Sequence, residues 1–136
     1  MREILFRGQT MENEEWVYGF YNHIPCGRFL CDEHLIQTVK GDGRIGDLHR
    51  VYERTVGQFT GLTDKNGVKI FEGDIVRCGG PVFSGRSPMV GNIVFSACCF
   101  CVSKYASIDV TAMDLCDDFE VLGNIYYNPE LLEVKE

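Results

Sequence analysis

The stretch TDKNGVKIFEGDIVR, Thr63 to Arg77, holds two turn signals within fifteen residues and leaves room only for very short extended segments between them. Asn66-Gly67 readily takes positive φ, which a tight hairpin turn of the type I′ or bulged kind requires. Val68 and Ile70 then face one way and Lys69 the other, the period-two alternation of a strand. Glu72-Gly73-Asp74 forms a second turn, with Gly73 relieving the backbone and Asp74 placed to accept from nearby amides. Ile75-Val76-Arg77 opens a fresh strand. A Gly-Asp pair before an apolar strand suits the bend where a small barrel passes from one sheet to the next. Asp74 therefore reads as a structural acceptor ahead of a catalytic acid.

The remaining chain repeats this pattern of short strands. Ile4 to Phe6 is apolar, Met11 to Glu14 is turn-like, and Trp16, Tyr18 and Phe20 alternate with Val17, Gly19 and Tyr21 on opposite faces of a second strand. Arg28 to Cys31 and His34 to Val39 read as two short strands, and KGDGRIGD as a loop. Gly41, Gly43 and Gly46 spell GxGxxG, but no helix follows to make a nucleotide-binding turn. RVYERTVGQFTGL favours extended structure, CGGPVFSGRSPM a long excursion, and Asn92 to Phe95, Phe100 to Tyr105 and Phe119 to Leu122 further strands. Asn128 fits an N-cap, with Pro129 at the first position of a helix of one to two turns. The fold class expected is mainly β. It is a small antiparallel β-barrel, SH3-like or related, with an N-terminal β-hairpin region and short helical decorations. One domain over 1–136 is expected, divisible into an N-terminal β subregion 1–50 and a barrel core 51–136.

Composition narrows the function classes. A formal net charge of −7 disfavours a broad cationic groove for nucleic-acid phosphates. No run approaches the roughly 18 to 20 apolar residues of a membrane helix, and the start MREILFRGQT lacks the apolar core of a secretory signal. A cytoplasmic protein of a bacterial host, without membrane attachment, is the expectation. Seven cysteines, an odd number, then read as reduced thiols.

Several clusters could carry chemistry. His23, Cys26, Cys31 and His34 are zinc-ligand types at nearly suitable intervals, although a compact quartet would draw every ligand from one short loop. Small buried thiols and surface imidazoles are the plain alternative. Cys98, Cys99 and Cys101 cannot converge on one metal from a regular strand, because Cys99 and Cys101 share a face and Cys98 takes the other. With Cys116 they read as core thiols. His49 is the nearest remote partner for a nucleophile, and nothing pairs it with them. Asp114, Asp117, Asp118 and Glu120 could hold Mg²⁺, but an acidic loop is more often simply solvated. Trp16, Tyr18, Phe20, Tyr126 and Tyr127 could stack bases, or fill a core and a subunit interface. No catalytic residue and no cofactor are assigned.

TVGQFTGLTDKNGVKIFEGDIV, Thr55 to Val76, resembles the central signature of the YopX family, found largely in bacteriophages and prophages. REILFRG…EWVYGFY and FEVLGNIYYNPELL, Phe119 to Leu132, are similar to its N- and C-terminal patterns, so three motifs in order span essentially the whole chain. The resemblance implies a fold containing a small β-barrel, self-association, and no established enzymatic activity. The residues that recur in it here are Gly61, Asp64, Gly67, Glu72, Gly73, Asp74, Gly123, Asn124 and Pro129, all turn and cap types. The expectation is thus a non-enzymatic accessory protein that forms a homo-oligomer and binds a phage or host protein. The rivals are a nucleic-acid-binding barrel and a thiol- or metal-dependent enzyme.

Overall fold

The computed structural model describes residues 3–25, 32–81, 85–96, 98–104 and 110–133. Eleven strands run in chain order: β1 (Phe6–Gln9), β2 (Trp16–Ile24), β3 (Glu33–Val39), β4 (Ile45–Arg50), β5 (Gly57–Thr63), β6 (Lys69–Phe71), β7 (Asp74–Gly79), β8 (Pro88–Ser96), β9 (Cys99–Ser103), β10 (Val110–Ala112) and β11 (Asp117–Asn124). They form a six-stranded sheet in the order β4-β3-β2-β1-β5-β6 and a five-stranded sheet in the order β10-β9-β8-β7-β11. The helical elements among the described residues are 3₁₀ turns. No helix among these residues is long and apolar enough to cross a membrane. The chain divides into two compact units, Met1–Phe59 and Thr60–Glu136. The sequence had suggested a division at residue 50.

In the first unit, β1 and β2 make the expected hairpin, with Arg7 opposite Tyr18 and Gln9 opposite Trp16. Paired residues share a face in an antiparallel sheet, so Trp16, Tyr18 and Phe20 lie together as their alternation indicated. β2 then pairs with β3 from Gly19↔Thr38 to Ile24↔Glu33. A Cβ at position 19 would overlap the carbonyl oxygen of Gln37, so only glycine permits this close strand approach. Leu35, Ile36, Val51 and Phe59 are buried, and so is Thr55. The Thr55 hydroxyl accepts from the Gln9 amide at 2.9 Å and donates to the Tyr52 carbonyl at 2.7 Å.

The second unit packs Ile70, Val76, Cys78, Met89, Ile93, Val102, Met113, Cys116 and Phe119 into one apolar core. β11 pairs with β7 through two register shifts, between Asp117 and Glu120 and between Val121 and Gly123. Such bulges bend a strand and raise its twist.

Three expectations need correction. Among the described residues no strand pair joins the ends of either sheet, so the expected small barrel is not seen to close there. Closure depends on a register between the first and last strands, which short strands and turn residues do not encode. KGDGRIGD is a loop only in its first half, since β4 begins at Ile45 and the Gly43 amide closes a tight turn onto the Lys40 carbonyl. The extended run after Val51 is broken by a 3₁₀ turn at Glu53–Thr55, where the Thr55 hydroxyl competes for backbone. The short helix expected from Pro129 is formed, as a 3₁₀ turn over Pro129–Glu133. The Asn128 side-chain oxygen accepts from the Asn124 amide at 3.4 Å. The expected strand Arg28 to Cys31 lies outside the described residues.

Candidate functional site

The opening stretch folds as two turns around β6, and its two aspartates bond backbone amides. Gly67 takes φ 82° while Asn66 keeps negative φ, so the turn is the bulged form and not type I′. The buried Asp64 carboxylate binds three amides: Asn66 at 2.8 Å and Val68 at 2.9 Å through Oδ1, and Val121 at 3.0 Å through Oδ2. These bonds, that from Val121 foremost, hold its carboxyl below the usual carboxylate range. Asp74 accepts from the Phe71 amide at 2.8 Å, the structural role expected of it. Gly61 and Gly73 also take positive φ, and Glu72 is partly buried. Asn124 Oδ1 accepts from the amides of Tyr126 at 3.0 Å and Tyr127 at 2.9 Å, while the side chain of Asn128 fills the space a Cβ on Gly123 would need.

The thiols divide between core and surface. Cys78, Cys101 and Cys116 are buried, Cys99 is partly buried and Cys98 is exposed. Burial, with Cys116 beside it, pushes the Cys78 thiol up to about 12, and burial raises Cys101 and Cys116 also. Cys99 and Cys101 share a face, as the strand alternation indicated, with sulfurs 3.6 Å apart. A cleft of about 620 Å³ in the second unit is lined by Lys65, Arg77 and Arg86 on one side of the charge balance and Asp117, Asp118 and Glu120 on the other. Arg77 meets Glu120 at 3.4 Å and Arg86 meets Asp117 at 3.8 Å, so the acidic loop is partly neutralised by arginines.

Of the proposed zinc quartet, Cys26 and Cys31 lie outside the described residues, but His23 and His34 are brought together. They are register partners on β2 and β3, with rings stacked at 4.5 Å and 7° between planes. His23 Nε2 lies 3.0 Å from a carboxylate oxygen of Asp32. His34 is bonded through Nδ1 to the Tyr21 hydroxyl at 2.5 Å, and its Nε2 lies 3.5 Å from Glu53. Burial raises the Tyr21 phenol above its ordinary range, with Glu53 and Asp32 adding to the effect, so it stays neutral. The sequence reading missed Asp32, Tyr21 and Glu53. The signal for Tyr21 was its place on the same strand face as His23, two residues away.

The aromatics divide between the units. Trp16 is covered by the guanidinium of Arg7 at 4.4 Å, Tyr18 and Phe20 are exposed, and Tyr126 and Tyr127 lie in the turn after β11.

Comparison with known proteins places this architecture. The chain is similar to the crystal structure of protein EF1440 from Enterococcus faecalis, with a TM-score of 0.53 and 23% identity over 97% of this chain and 99% of that one. At that identity the likeness is one of fold. The family model of the YopX protein matches residues 5–133, and the chain belongs to the YopX family. No curated protein matches it.

Proposed function

We propose that the protein acts by binding and not by catalysis, as a self-associating accessory module of a phage or prophage in the bacterial cytoplasm. The observation that carries this reading is an apolar row on one face of the first unit. Phe20 pairs with Gln37, which pairs with Leu48, and Val39 pairs with Ile45 on the same face. Phe20 and Leu48 are each 53% exposed and Ile45 66%. The row ends on β4, the outermost strand of its sheet. An edge strand with exposed apolar residues is a template for pairing with another chain, and a second copy meeting it edge to edge satisfies both at once through a two-fold contact.

Light scattering over a concentration series tests this. The wild type is expected to run as a dimer or larger closed assembly, and Leu48→Lys to shift it toward monomer without loss of fold. A strict monomer at all working concentrations overturns the assembly. A nucleic-acid role draws its support from Tyr18 and Phe20, two exposed aromatics side by side on β2. Steeply salt-dependent binding of single-stranded oligonucleotides, weakened in Phe20→Ser, is its expected signature.

A further inference from the structure

We propose that His23, Asp32 and His34 form a binding site for a divalent transition-metal cation of the zinc class, at the end of the β2–β3 hairpin. One ligand-capable atom from each of the three residues lies within 4.8 Å of the others. A tetrahedral zinc with bonds of about 2.0–2.1 Å sets its donor atoms about 3.3 Å apart. The widest separation therefore needs to close by about 1.5 Å at most. The residues that move are the outer ones: the side chains of His23 and Asp32 are each 44% exposed, whereas that of His34 is 9% exposed.

The surroundings orient His34 as a ligand. The Tyr21 hydroxyl engages Nδ1 and its ring lies parallel to the imidazole, at 5.9 Å and 7°. A metal on Nε2 would leave Nδ1–H donating to that hydroxyl, the outer bond that fixes the orientation of an imidazole ligand. Nε2 faces a Glu53 oxygen at 3.5 Å, which adds negative charge beside the site. His23 Nε2 and the Asp32 carboxylate already meet in a hydrogen bond at 3.0 Å, and a metal would take the place of the proton between them. Two imidazoles and a carboxylate suit zinc and its neighbours in preference to calcium or magnesium, which take oxygen ligands. Because His23 and His34 stand opposite one another on two strands, the metal cross-links β2 to β3 and fastens the hairpin end. This inference stands apart from the self-association reading and does not depend on it.

The test is calorimetric titration of the full chain with ZnCl₂, beside His23→Ala and His34→Ala. The wild type is expected to bind one zinc in the micromolar range, and each variant to bind at least tenfold more weakly. Zinc at a hundredfold excess over Kd is expected to raise the wild-type Tm by about 5 °C. A readout free of any folding defect in the variants is the proton NMR of the wild type, where the Hε1 signals of His23 and His34 shift on zinc addition while that of His49 stays put. Absence of binding at 0.1 mM zinc overturns the proposal. Binding that both variants retain unchanged, or that leaves the two Hε1 signals in place, overturns it also, and moves the metal to other ligands.

Discussion

The Oδ2 atom of Asp64 accepts a hydrogen bond at 3.0 Å from the backbone amide of Val121, a residue 57 positions further along the chain. The same carboxylate closes its own turn through Asn66 and Val68. One buried side chain therefore joins a local hairpin to the last strand of the second unit. A charged acceptor with three amide donors is stabilising only while it is ionised.

Asp64→Ala is expected to cost about 2–3 kcal/mol, since it leaves buried amides without their partner. The pH dependence follows from the sign of the shift. The folded carboxyl is held below its unfolded value, so its contribution is complete above roughly pH 4 and falls away as pH drops through the lower, folded-state value. Denaturant melts from pH 7 to pH 2 should show wild-type stability declining below pH 4, with a shallower decline in Asp64→Asn. Equal acid slopes in the two proteins would sink the assignment.

Gly73 carries a second test. Its φ of 91° lies where L residues are rare, and an added Cβ would lie 3.0 Å from the Tyr126 ring. Its amide also donates to Ile93 and its carbonyl accepts from Ile125, so the backbone has little freedom to relax. Gly73→Ala should therefore lower stability by about 1–3 kcal/mol. Gly41→Ala, with open space around the site, should cost far less. Thermal melts of the two variants make the comparison.

Thiol chemistry separates core from surface. Cys98 is exposed and sits at positive φ in the β8–β9 turn, whereas Cys78 is buried with its thiol pushed up to about 12. The thiolate is the reactive form. Iodoacetamide at pH 8 should alkylate Cys98 first among the described cysteines and leave Cys78 untouched until denaturant is added. Peptide mass mapping over time reads the order directly.

What could be read from residues alone follows the range of the interactions. Gly67, Gly73 and Asp74 announced their turns because a turn is decided within four or five neighbours. The alternation of Trp16, Tyr18 and Phe20 fixed a strand face for the same reason. Asp64 was visible as a turn residue, but not its bond to Val121, because nothing near either residue specifies the other. Barrel closure was not legible on the same account: short strands and glycine turns are shared by open sheets, and closure is a long-range property. His23 and His34 were singled out as ligand types, yet the spacing argument looked along the chain. Their meeting depends on β2–β3 register, which makes Gly19 stand opposite Thr38 and sets every later pair. Asp32 entered only with that register.

Thr55 supplies the last prediction. Its side chain is fully buried in the first unit, and its hydroxyl serves two backbone groups, the Gln9 amide and the Tyr52 carbonyl. Valine keeps the shape and removes both bonds, leaving the Gln9 amide without that acceptor in a dry site. Thr55→Val should cost about 1–3 kcal/mol, while Thr55→Ser, which keeps the hydroxyl and drops one methyl, should cost about 1 kcal/mol or less. Because Gln9 lies on β1 and Tyr52 just precedes the 3₁₀ turn, the loss should be local. Amide exchange in Thr55→Val should speed up at Gln9 and through residues 52–56 while β7 and β8 keep their protection. A uniform rise in exchange across both units would instead make Thr55 a residue of global stability, and not the clasp between β1 and its neighbouring turn.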